Sequence, residues 1–86
     1  MDINQLLEVV KNKINDNVVC EKIEIEDKTF LHKKHKSFQV GKFHIKVKIN
    51  SLYLSKLQKV ESSKIIHKIL KDELEKYIHS LQISIE

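Results

Sequence analysis

Apolar residues recur at Ile3, Leu6, Leu7, Val10 and Ile14, the spacing of one helical face. Asp2 can cap this helix, with Gln5 three residues on to complete a capping box. Asn15-Asp16-Asn17 offers the backbone side-chain alternatives, so the pattern predicts a helix over residues 3–14. From Val18 to Asp27 the period becomes two. Val19, Ile23 and Ile25 share one face and Lys22, Glu24 and Glu26 the other, as in a strand with one wet side. Residues 27–41 show no clear period and end on the only glycine, Gly41. A loop of that length in so short a chain favours function over mere connection. Phe43, Ile45, Val47 and Ile49 then alternate with His44, Lys46 and Lys48, predicting a half-buried strand over residues 42–50. Leu52, Leu54 and Leu57 suggest a short helical turn. Ser62 or Ser63 caps a longer helix carrying Ile65, Ile66, Ile69, Leu70, Leu74, Tyr77 and Ile78. Leu81, Ile83 and Ile85 alternate against Ser80, Gln82 and Ser84 in a final strand.

The order is αββαβ, an α+β class. The last strand–helix–strand unit crosses over and pairs in parallel, so both helices cover one face of a three-stranded mixed sheet. The 86 residues are expected to form a single domain, 1–86, with no internal repeat. No apolar run approaches the ~20 residues of a membrane helix. The N-terminus lacks a basic stretch followed by a long apolar run, so a cytoplasmic, non-membrane protein is expected. A single cysteine, Cys20, excludes an intrachain disulfide and a self-contained Cys₂His₂ zinc site.

Charge changes the picture in the middle of the chain. All 16 basic residues are Lys and the net charge is +4. Without Arg, bidentate Arg–guanine and Arg–phosphate contacts are ruled out. Residues 28–48 hold seven Lys, no acid and three of the five His. One reading is a solvated loop and the outer face of a strand. The other is a surface for an anionic partner, with Lys33, Lys34, Lys36, Lys46, Lys48 and Lys64 as its candidates.

Enzyme templates find no match: there is no Gly-rich phosphate loop, no H-E-x-x-H and no G-x-S-x-G. Cys20, early in the first strand, reads as a small buried hydrophobe. His32-Lys33-Lys34-His35 admits two readings, solvated loop histidines or two imidazoles that approach one centre. Flanking Lys favours the neutral rings a metal needs. His44 lies opposite Phe43 and Ile45, where pairing with cross-strand neighbours is the ordinary expectation. His67 reads as a surface or boundary residue. His79 falls where the long helix meets the last strand, a place that suits a cation for the helix dipole and also suits a reachable, well-held ligand. Whether the 27–41 loop reaches it depends on strand order.

Three segments together resemble the BolA-like family. Ile25 to His35 is similar to its V-x-D-x-S-x-x-H-x-x-H segment. Phe43-His44-Ile45-Lys46-Val47-Lys48-Ile49-Asn50-Ser51 is similar to its S-H-F-x-V-x-I-x-S strand. Asp72-Glu73-Leu74 followed by Ile78-His79-Ser80-Leu81 is similar to its E-E-L and I-H-A-L ending. The resemblance implies a fold akin to type II KH domains and a non-enzymatic partner of monothiol glutaredoxins. It implies a [2Fe-2S] cluster shared by the two chains, with thiolates from glutaredoxin and bound glutathione. On this side the implied ligands are His79 and His32, with His35 as the substitute, and no cluster is expected on the isolated chain. The resemblance bears on iron–sulfur assembly or transfer, or on iron regulation.

The alternative it implies is a nucleic-acid-binding regulator of transcription and stress morphology. Against that, the family's R-H-R is here Ser62-Ser63-Lys64, and the glycine of its F-x-G turn is Lys56. Lys alone gives weak, salt-sensitive binding, and one glycine cannot build the G-x-x-G clamp of a KH domain.

Overall fold

A computed structural model describes residues 2–29 and 42–86. The elements are α1 (Ile3–Asn17), β1 (Lys22–Asp27), β2 (Phe43–Asn50), α2 (Leu52–Ser55), α3 (Lys59–Ile69), α4 (Lys71–Lys76) and β3 (Ile78–Ile85). The sheet order is β1-β2-β3. β1 runs antiparallel to β2, and β3 runs parallel to it. This is the mixed sheet and parallel crossover that the αββαβ pattern predicts.

The capping box forms: Gln5 N donates to Asp2 Oδ1 at 2.8 Å and Asp2 N to Gln5 Oε1 at 3.0 Å. α1 runs three residues further than predicted. Asn17 does not break it but supports its last turn, its Nδ2 donating to Lys13 O at 2.8 Å. The long helix also starts a turn early, at Lys59. Ser62 and Ser63 sit inside it, where Ser62 Oγ donates back to Lys59 O at 3.1 Å. Serine can bond locally to backbone at a cap or within a turn, which is why sequence alone misplaced the start. The helix is interrupted at Leu70 and resumes as α4. β1 begins only at Lys22, and Val19 is 79% exposed, off the apolar face assigned to it.

The core lies between the helices and one face of the sheet. Leu6, Val10 and Ile14 of α1 pack with Ile45, Val47 and Ile49 of β2 and with Ile66 and Leu70. Side chains alternate along a strand, so His44, Lys46 and Lys48 point to the other face. Ser51 closes the far end of β2: its Oγ donates to Val19 O at 2.8 Å and accepts from Leu54 N at 3.2 Å, capping α2.

One ion pair ties α1 to α4. Lys13 Nζ donates to both Glu73 carboxylate oxygens at 2.9 and 2.7 Å, and the two side chains are 37% and 7% exposed. Losing Lys13 strands a buried carboxylate, whereas losing Glu73 leaves an ammonium that can turn to water. Lys13→Met should therefore cost about 3 kcal/mol and Glu73→Gln about 1 kcal/mol. Urea unfolding of the two variants checks this; equal costs would refute the asymmetry.

Candidate functional site

The β1–β2 connection leaves and re-enters the sheet at one end. Lys28 N donates to His44 O at 2.7 Å, and His44 N donates to Thr29 Oγ1 at 3.2 Å. The Thr29 hydroxyl and amide both donate to Asp27 Oδ1, so Asp27 and Thr29 brace the root of the loop. Because β3 is parallel to β2, its first residues reach the same end. Strand order thus places His79 beside the β2 root of the segment, at the same sheet end as the β1 root one strand further on. His32 and His35, with Lys33, Lys34 and Lys36, lie outside the described residues.

The β2–β3 register slips at this point. Phe43 faces Ile78, but His44 faces Ser80, so His79 is an extra residue in the ladder. Such a bulge re-aims side chains. Strict alternation would put His79 with Leu81 on the apolar side and Ile78 with Ser80 on the polar side. The bulge lets Ile78 enter the core while the His79 ring meets His44, ring centroids 5.0 Å apart and planes at 64°. His44 is 3% exposed, and its Nδ1 lies 2.9 Å from Ser80 Oγ. The cross-strand pairing expected of His44 is present. Its burial and its contact with His79 go beyond that expectation, and the sequence signal for them is the parity conflict at Ile78 and His79. His79 itself is half-buried, and no hydrogen bond to its ring is found among the described residues.

Other candidates lie elsewhere. Cys20 precedes β1, where Glu21 N donates to Asn50 O at 2.8 Å. That is the opposite end of the sheet, roughly 20 Å from His44 at the usual strand rise. Burial, and then the charge of Glu21, push the Cys20 thiol above its ordinary pKa, so it is a poor thiolate. Cys20 is half-buried, not the fully buried hydrophobe expected, so Cys20→Ser should cost less than the roughly 1–2 kcal/mol of a fully buried site and leave any metal chemistry at His79 unchanged. Iodoacetamide should label wild-type Cys20 more slowly than it labels the unfolded chain; equal rates would contradict the burial. His67 is exposed on α3, its Nδ1 donating to Ser63 O at 2.8 Å.

The described lysines do not gather into one patch. Lys46 and Lys48 stand across from Glu26 and Glu24, and Lys48 Nζ is 3.4 Å from Glu26 Oε1. Lys64 is exposed on α3, on the helical side of the sheet. A hydrogen bond from Lys28, then the charges of Lys28 and Lys48, hold the Glu26 carboxyl below its usual range. Lys22 does the same for Glu24. These carboxylates stay charged until the solution is distinctly acidic, so this face remains charge-paired at neutral pH. Among the described residues, no three His, Cys, Asp or Glu converge as metal donors, and no helix is long and apolar enough to cross a membrane.

The family model described as BolA-like protein matches residues 14–86. The chain belongs to the BolA-like family. Its structural likenesses agree. The BolA domain of SufE1 from Arabidopsis thaliana superposes with a TM-score of 0.79 at 21% identity, covering 100% of this chain and 93% of that one. BolA1 from Arabidopsis thaliana gives 0.74 at 22% identity, covering 91% and 86%. A bol-like protein from Babesia bovis gives 0.70 at 9% identity, covering 91% and 79%. At such identities these neighbours establish the fold of this BolA-like chain and nothing finer. No curated protein matches it in sequence.

Within the BolA-like segments the structure sorts braces from candidate ligands. Asp27 and Thr29 hold the loop root, Ser51 holds the far end of β2, and Glu73 holds α1. His44 and His79 meet one another instead.

Proposed function

We propose that this BolA-like chain is a non-enzymatic, single-domain adaptor for a monothiol glutaredoxin in the cytoplasm. The two chains would share a bridging [2Fe-2S] cluster, with thiolates supplied by glutaredoxin and glutathione. On this side His79 is the fixed ligand and His32 is the loop ligand, with His35 as its substitute. The supporting observation is the position of His79. It is half-buried at the head of β3, at the sheet end from which the His32–His35 segment departs and to which it returns.

The donor chemistry fits. Neutral imidazole is a good ligand for iron, and the His79 ring carries no competing hydrogen bond among the described residues. One described imidazole and a loop histidine leave the remaining ligation to a partner. When bound, the cluster supplies a redox-active centre, whose potential rises where imidazole replaces thiolate. The chain's own part is to present His79 in a held orientation and keep the thiol of Cys20 out of reach. The nucleic-acid reading has less behind it, because Lys46 and Lys48 are interleaved with Glu24 and Glu26.

The test is to co-purify the chain with a monothiol glutaredoxin plus iron, sulfide and glutathione, then record the visible spectrum. A coloured hetero-complex with a spectrum unlike that of glutaredoxin alone is expected. A glutaredoxin spectrum unaltered by the chain, with no co-elution, would sink the reading.

A further inference from the structure

The His79 ring rests on a neighbour that is far more constrained than itself. His44 is held through its backbone on both sides, by Lys28 N at 2.7 Å on its carbonyl and by Thr29 Oγ1 at 3.2 Å on its amide. Its ring is almost wholly buried, and Ser80 Oγ lies 2.9 Å from Nδ1, which fixes the ring's rotation. Ser80 in turn is placed opposite His44 by the bulge that makes His79 the extra residue. The same slip that frees His79 from the ladder therefore sets a locked imidazole against its edge, with centroids 5.0 Å apart. The hydrophobic cluster, with Ile45, Val47 and Ile49, lies on the other face of β2.

We propose that His44 and Ser80 are positioning residues for His79: the Ser80 hydroxyl locks the His44 ring, and that ring limits the orientations of His79 before a metal centre arrives. This rests on the reading of His79 as a ligand. Groups that orient a ligand without touching the metal commonly contribute tenfold or more to affinity, because a ligand held in advance loses less freedom on binding. The proposal concerns the ring's orientation and needs no change in its charge.

The test uses the full chain and four variants. Ser80→Ala removes the lock with little disturbance, and Ser80→Thr restores the hydroxyl. His44→Ala removes both ring and lock, and His79→Ala reports on the ligand itself. The first readout is the ¹H–¹³C ring signals of His79 in the free protein. Ser80→Ala and His44→Ala should shift and broaden them, and Ser80→Thr should return them to wild type. The second is cluster retention by the glutaredoxin complex against a chelator, with the electron paramagnetic resonance of its reduced form. Ser80→Ala should lose the cluster about tenfold faster, with an altered resonance, and Ser80→Thr should behave as wild type. A purely structural role would lower melting temperature without moving the His79 signals at temperatures where the variants are folded.

The proposal is overturned if Ser80→Ala leaves both the His79 signals and cluster retention unchanged while His79→Ala abolishes the cluster. If His79→Ala keeps the wild-type spectrum, the ligand reading itself fails. The free-protein ring signals then decide positioning on their own. Should His44→Ala not fold, the Ser80 pair carries the whole comparison.

Discussion

His79→Ala should abolish or grossly alter the spectrum of the complex with glutaredoxin, while His32→Ala weakens the cluster and His35→Ala weakens it less. The ranking follows from how each ring is held. His79 lies at the head of a strand paired to β2 and is flanked by a buried histidine, so its position is set by the fold. His32 and His35 sit three apart in one segment, and in the proposed reading each substitutes for the other. Removing a ligand that has no substitute should exceed the ~10–100-fold loss typical of an outer-shell residue. Association without the cluster should survive in part, because the truncation touches a single half-buried ring. His67→Ala is the control, being exposed on α3 with its ring bonded to its own helix. Visible spectra of the complexes, taken at temperatures where every variant is folded, give the answer. A wild-type spectrum for His79→Ala together with loss in His67→Ala would show the ligand to be misassigned.

Ile66→Ala should be the most damaging of these changes to stability. Ile66 is 0% exposed on α3, in the cluster where α1, α3 and β2 meet. Its side chain fills the space between the helices and the sheet, so its truncation leaves a cavity in the core. Truncating a buried isoleucine costs about 2–5 kcal/mol. In a domain of this size each kcal/mol moves the melting temperature by about 4–8 °C. A drop of at least about 8 °C is expected by calorimetry or circular dichroism. Val60→Ala, on the same helix but 63% exposed, should stay within about 0.5 kcal/mol of wild type. A small effect for Ile66→Ala would mean that the α3–sheet contact is looser than its burial implies.

Much of this architecture can be read from residue spacing. The α1 stripe and the alternation in β2 specify their elements because each buries one face against the other. The misplaced boundaries share one cause, local polar side chains whose role depends on what lies beyond them. Asn17 supports a helix end instead of breaking it, and Ser62 bonds within a turn instead of capping one. The interruption at Leu70 has no Gly or Pro to announce it. At the site, family segments point to His79 but not to its surroundings. Spacing assigns His44 to the wet face with Lys46, and only the bulge, a feature of pairing between two distant strands, reveals that it is buried beside His79. Asp27, Thr29, Ser51 and Glu73 are equally prominent in those segments, yet their partners show them to be braces. A sequence motif records which residues are required without saying for what.

The parallel pairing of β2 and β3 bears on when this site comes into being. His44 and Ser80 are 36 positions apart, with the α2–α4 crossover between them. Closing a longer stretch of chain costs more entropy before the contact is made. The β1–β2 pairing faces a shorter closure and can precede it. The His44–Ser80 contact therefore carries the larger closure cost, and it sits at the end of β3 that α4 holds, away from the terminus that frays first. A chain in which β3 has not yet paired, though it carries every histidine, would not hold the His79 ring against His44.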